Sequence, residues 1–113
     1  MIIIYHNPRC SKSRQGVAYL TEAGVEFETV LYLKDPLDQS TIKTILKKLN
    51  CSPIELIRKG ESIWKEHFKG KELSHEQLID AMIEHPKLIE RPIIVKGAKA
   101  VIGRPTQLID QLL

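Results

Sequence analysis

Ile2-Ile3-Ile4-Tyr5-His6-Asn7-Pro8-Arg9-Cys10-Ser11 turns from strand to helix within ten residues. The three isoleucines form a continuous β-branched run, the pattern of a strand buried on both faces. Proline lacks the ladder donor, so Asn7-Pro8 ends the strand. Ser11 to about Ala23 then carries apolar positions at helical spacing, with Gly24 as its stop. Phe27 to Leu33, rich in Val, Thr and Tyr, is the next expected strand. Strand, helix, strand predicts a parallel pair joined by a right-handed crossover.

Asp35-Pro36 breaks this pattern and a helical stretch follows. Ile42, Ile45, Leu46 and Leu49 line one helix face. Ser52-Pro53 with Glu55, and Ser74 with Gln77, are helix-start signatures. A short helical turn is expected over 61–67. The helix after Ser74 stops before Pro86. Ile93–Val95 and Ala100–Ile102 predict a hairpin around Gly97. Pro105 opens a last helix with Leu108, Ile109, Leu112 and Leu113 on one face. The order is β-α-β, an insert at about 36–86, then β-β-α. This is a thioredoxin-like α/β layout with a mixed sheet, expected as one domain over 1–113 with the insert as a helical cap.

The 113 residues are 42% apolar and 27% charged, a globular balance. Two cysteines exclude a disulfide framework. The longest apolar run, Met1 to Tyr5, is far short of the ~20 residues of a membrane span, and no basic stretch precedes it as in a signal peptide. No membrane association and a cytosolic location are expected, where thiols stay reduced. The net charge of +3 suits a small anionic substrate better than nucleic acid, which needs a clustered basic face. No glycine-rich nucleotide loop occurs, and the four histidines and Cys51 have no zinc spacing.

Cys10 falls where the strand hands over to the helix. Unpaired N–H groups and the dipole's positive end favour a thiolate there and cradle an anion. Arg9, Lys12 and Arg14 add nearby charge, in surroundings that depress a thiol pKa. Cys51, between Asn50 and Ser52, has no such cluster and reads as structural. Cys10-Ser11-Lys12-Ser13 is C-x-x-S, so an external thiol must resolve a sulfur intermediate. His6 either tunes Cys10 or ends the strand. Arg58, Arg91 and Arg104 are candidate oxyanion ligands, since a guanidinium pairs two oxygens at once. Arg91 and Arg104 precede prolines at the hairpin's strand ends. By analogy with the fold, the bond before Pro92 is expected to be cis.

His6-Asn7-Pro8-x-Cys10-x-x-Ser13-Arg14, Tyr32-Leu33, Leu56-Ile57-Arg58-Lys59, His85-Pro86-x-Leu88-Ile89-x-Arg91-Pro92-Ile93 and Arg104-Pro105 run in order over the whole chain. Together they resemble the glutaredoxin-dependent arsenate reductases of the ArsC/Spx family, in particular its short cytosolic branch. The resemblance implies a thioredoxin-like fold with a helical insert. It implies a Cys10 nucleophile, three oxyanion-binding arginines (Arg58, Arg91, Arg104), supporting roles for His6, Ser13 and Arg14, and a cis Pro92. It further implies arsenate as substrate, glutathione as co-substrate, glutaredoxin as partner, no metal, no bound cofactor and a monomer. Two alternatives share these residues: a Spx-like regulator that binds RNA polymerase, and a thiol-dependent oxidoreductase with another substrate. Ser13 in place of a second cysteine favours the reductase over the regulator.

Overall fold

A computed structural model describes residues 1–113. The elements are β1 (Ile2–Tyr5), α1 (Ser11–Glu22), β2 (Phe27–Val30), α2 (Gln39–Leu49), α3 (Ser62–His67), α4 (His75–Glu84), β3 (Ile93–Lys96) and β4 (Lys99–Ile102). Short 3-10 segments occupy Pro53–Leu56, Pro86–Leu88 and Thr106–Leu112. The chain forms two compact units: Met1–Asp35 with Arg91–Leu113, and Pro36–Glu90.

The first unit is a four-stranded sheet in the order β2-β1-β3-β4. β1 runs parallel to β2, with Ile2 opposite Phe27 and Tyr5 opposite Val30. It runs antiparallel to β3, and β3 runs antiparallel to β4. This is the thioredoxin-like mixed sheet. Ile2, Ile4, Leu20, Ile94, Ile109 and Leu112 form the core between the sheet, α1 and the C-terminal segment. Burying each such side chain contributes roughly 1.5–3 kcal/mol. β1 is fully buried on one face only: Ile3 and Tyr5 are half-buried. β3, by contrast, buries Ile93, Ile94 and Val95 in succession.

Two expected elements are shorter or tighter. β2 stops at Val30, not Leu33, because its partner β1 ends at Tyr5. The last link is the His6 N–H donating to the Val30 carbonyl at 2.9 Å. Leu31 then opens a turn closed by the N–H groups of Lys34 and Asp35 on its carbonyl, at 3.0 and 2.9 Å. Tyr32, expected to close the strand, is fully buried in that turn. The last helix is 3-10, not α. Its buried residues Ile109 and Leu112 are three apart, which matches three residues per turn, and Leu113 is exposed.

In the second unit, Asp38 caps α2 by accepting the Thr41 N–H at 2.7 Å, and Ile42, Ile45 and Leu46 are buried. Ser74 and Gln77 exchange the capping pair at the start of α4. The Ser52–Glu55 signature starts only a 3-10 turn, with the Ser52 N–H donating to the Glu55 carboxylate at 2.7 Å. The unit extends to Glu90, because Ile57 and Ile89 form an antiparallel bridge and the Glu90 N–H donates to the Leu56 carbonyl at 2.8 Å.

Pro92 lies at the entry to β3 in the first unit, fully buried. Two glycines make room for its ring. A Cβ on Gly16 of α1 would lie 2.8 Å from Pro92 Cγ and 3.3 Å from Ile4 Cδ1. A Cβ on Gly103 would lie 3.2 Å from the same Cγ and 2.9 Å from Ile94 Cδ1. The Gly103 N–H donates to the Pro92 carbonyl at 2.8 Å. Gly16→Ala therefore forces a rigid ring to move, and overpacking of this kind costs ~1–3 kcal/mol. Urea unfolding is expected to show that loss for Gly16→Ala. Gly60→Ala, in open space, is expected to stay within about 0.5 kcal/mol. Equal midpoints and slopes for the two variants would contradict the close approach.

Candidate active site

Asn7-Pro8-Arg9-Cys10 is a tight turn, closed by the Cys10 N–H donating to the Asn7 carbonyl at 3.0 Å. The Asn7 side chain braces it by accepting the Arg9 N–H on Oδ1 at 3.0 Å. Asn before Pro favours such a turn. Cys10 then occupies the N-cap of α1 with extended backbone. Its half-buried thiol faces the Ser13 and Lys12 N–H groups and the Arg91 guanidinium. Burial alone would raise the thiol pKa. The Ser13 N–H, the bond and charge of Arg91 and the Lys12 N–H outweigh it, so the pKa falls below the ordinary value.

The charge that acts on Cys10 therefore differs in source from the one the sequence points to. Arg91 supplies it from the start of β3. Lys12 acts through its backbone N–H. Arg14 instead turns back onto the loop, its Nη1 donating to the Pro8 carbonyl at 2.8 Å.

Ser13 is wholly buried and its hydroxyl points away from solvent. Oγ accepts the Asn7 N–H at 2.9 Å and meets His6 Nδ1 at 2.7 Å. Burial first, then the Arg14 charge, lowers the His6 pKa, so the ring is neutral near neutral pH. His6 therefore brings no charge to Cys10. It anchors Ser13, whose backbone N–H faces the sulfur.

Arg91 is buried, and the Arg91–Pro92 peptide bond is cis. The Arg104–Pro105 bond is also cis, which no sequence pattern signals. Arg104 is half-buried beyond β4, its side chain in no hydrogen bond or ion pair. Arg58 belongs to the second unit. There its Nε lies 3.6 Å from Glu90 and its Nη1 3.9 Å from Glu61. Cys51, also in the second unit, has its thiol pKa raised, by burial first and then by the Glu55 carboxylate. No three His, Cys, Asp or Glu side chains come together in a way that would hold a metal ion. No helix is long and apolar enough to cross a membrane. Sequence reasoning missed Asn7, Gly16 and Gly103 as parts of the site's support. A glycine inside a helical pattern is the available signal for Gly16.

A model of the ArsC family matches residues 5–112, and the chain belongs to that family. An arsenate reductase of Neisseria meningitidis is 40% identical over 114 residues, covering 99% of this chain and 97% of that protein. The Escherichia coli protein YfgD, uncharacterized, is 49% identical over 112 residues, covering 97% and 94%. The solved arsenate reductase of Vibrio cholerae superposes with a TM-score of 0.94 at 38% identity, covering 99% and 97%.

In a Cys51→Ser background, the alkylation rate of Cys10 by iodoacetamide is expected to inflect below the ~8.5 of a free thiol. Arg91→Gln is expected to move that inflection upward, and Arg104→Gln to leave it in place. An unmoved inflection in Arg91→Gln would show that the guanidinium does not act on the sulfur.

Proposed function

We propose that this chain reduces arsenate to arsenite, with Cys10 as nucleophile. The observation that carries the proposal is the Arg91 guanidinium against a thiol whose pKa is depressed. The same group that favours the thiolate can pair with the oxygens of an anion brought to it. Relatives named as arsenate reductases at 38–40% identity over nearly the full chain support the choice of substrate.

The Cys10 thiolate attacks arsenic, an S–As bond forms and an arsenate oxygen leaves as water. A second thiolate, from an external thiol, then attacks the Cys10 sulfur. An S–S bond forms, and the S–As electron pair leaves with arsenic as arsenite. Two thiols are oxidised by two electrons and arsenic is reduced from +5 to +3. Glutathione as that thiol, and glutaredoxin as the reductant of the mixed disulfide, complete the cycle with Cys10 free again. No bound cofactor or metal takes part, the protein acts as a monomer, and the cytosol supplies the reduced thiols. Ser13 suits this scheme: its hydroxyl is committed to Asn7 and His6, and it offers no internal thiol.

Arg91 spreads the oxyanion charge, and Arg104, with no partner of its own, takes a second edge. Such pairing matters more where water is excluded. The resemblance extends the same role to Arg58, now paired with Glu61 and Glu90.

The test is arsenite formation with glutathione, glutaredoxin and NADPH-coupled regeneration. Cys10→Ser is expected to abolish it and Cys51→Ser to leave it largely intact. Arg91→Lys and Arg104→Lys keep the charge but lose the planar fork. A hydrogen bond to a charged group contributes roughly 1.5–3 kcal/mol, so each variant is expected to lose about one to two orders of magnitude in kcat/KM. Arg58→Lys belongs to the same series. Full turnover in both Arg91→Lys and Arg104→Lys would move the anion pocket elsewhere. Retrieval of RNA polymerase with no arsenite formed would favour the regulator.

A further inference from the structure

Arg58 stands between two carboxylates that the backbone puts there, and all three residues belong to the helical unit. Ile57 and Ile89 form an antiparallel bridge flanked by two backbone bonds. The Arg58 N–H donates to the Leu88 carbonyl at 2.7 Å, and the Glu90 N–H to the Leu56 carbonyl at 2.8 Å. In such a ladder residue 58 lies opposite 88 and residue 56 opposite 90. Arg58 and Glu90 are therefore diagonal neighbours on one face, within reach of long side chains. Beyond Arg58 the chain turns, with the Glu61 N–H donating to the Arg58 carbonyl at 3.2 Å. That turn brings Glu61, the N-cap of α3, to the same guanidinium.

Neither carboxylate closes on it. Nε lies 3.6 Å from Glu90 and Nη1 3.9 Å from Glu61, both beyond hydrogen-bond reach. Nη1 is shut off from solvent and makes no hydrogen bond. A buried donor left open costs free energy, and an oxyanion oxygen is an acceptor that would close it. The three side chains are only about a quarter exposed, so their charges are screened less than those of a free surface. One guanidinium and two carboxylates give a local sum of one negative charge.

We infer that Glu61 and Glu90 are positioning residues that hold Arg58 in reserve and bias the anion it meets toward a single negative charge. The inference deepens the function proposed above, because it rests on Arg58 meeting an oxyanion. The attraction of Arg58 for an anion and the repulsion by each carboxylate both scale with the anion's charge. With two carboxylates against one guanidinium, a second negative charge on the anion adds more repulsion than attraction. Arsenate carries one or two charges near neutral pH, so the pair favours the singly protonated step down from the dianion.

The test reads Arg58 directly, through the NMR shift of its Nε–H, identified by its loss in Arg58→Lys. The full chain is titrated with sulfate and with perchlorate at fixed pH and ionic strength. Both are tetrahedral oxyanions, doubly and singly charged, and neither changes charge near neutral pH. Glu90→Gln removes one repelling charge and keeps the side chain's shape. It is expected to tighten perchlorate roughly threefold and sulfate roughly tenfold, so that the sulfate-to-perchlorate affinity ratio rises about threefold. Glu61→Gln is expected to move the ratio the same way. Glu90→Asp keeps the charge and is expected to keep the parent ratio, whereas loosened packing would weaken both anions alike. An unchanged ratio in both Gln variants, or weaker sulfate binding in them, would overturn the inference. So would an Arg58 resonance that neither anion moves. Arsenite formation is scored on the same proteins. Arsenite formed with unchanged ratios removes the charge selection and keeps the reductase; the expected ratios with no arsenite do the reverse.

Discussion

Pro92 fills a space that only glycine can leave. Gly16 on α1 and Gly103 after β4 both present bare Cα atoms to its ring, and the Gly103 N–H closes on its carbonyl. The residue just before Pro92 is Arg91. The packing of one ring between a helix and a strand end therefore decides where a buried guanidinium stands. It stands against Cys10. A longer side chain at either glycine would move the ring, and with it the charge that helps lower the thiol pKa.

The other side of the sulfur is built from local chemistry. Asn7 braces the turn, Ser13 is pinned by Asn7 and His6, and Arg14 ties back to Pro8. These contacts hold the first turn of α1 so that its N–H groups face the thiol. The site thus has a local half, set within nine residues, and a distant half delivered by β3. It keeps a neutral histidine as an anchor, and its cations divide into one that braces the turn, one that meets the sulfur, and two left exposed.

This division explains what the sequence discloses. The β-α-β start and the final hairpin were legible because their signals are local: a β-branched run, a proline stop, and glycines at 24 and 97 that do take positive φ. The capping pair at Ser74 and Gln77 is local too. Cys10 was legible for the same reason, since its position at a strand-to-helix turn defines its chemistry. The identity of its charged partner was not. Arg9, Lys12 and Arg14 are its neighbours in the chain, but a turn aims neighbouring side chains in different directions. Arg91 reaches it only through the register of β1 with β3. The end of β2 and the 3-10 form of the last segment depend on partners elsewhere in the fold, and no local pattern carries that information.

The central claim is that the folded chain binds the Cys10 thiolate better than the unfolded chain does. Folding stability then has to depend on pH with a fixed sign. The thiol pKa is lower folded than unfolded, so the stabilisation is complete above the unfolded value of ~8.5 and is lost as pH falls through the folded value. The direct measurement is the urea unfolding free energy of the Cys51→Ser protein minus that of the Cys10→Ser/Cys51→Ser protein, across pH 5 to 10. Removing Cys51 matters because its raised pKa contributes with the opposite sign. The account predicts a difference that grows in favour of Cys10 as pH rises and levels off above ~8.5. A flat difference, or one that turns against Cys10 as the thiol ionises, would contradict it.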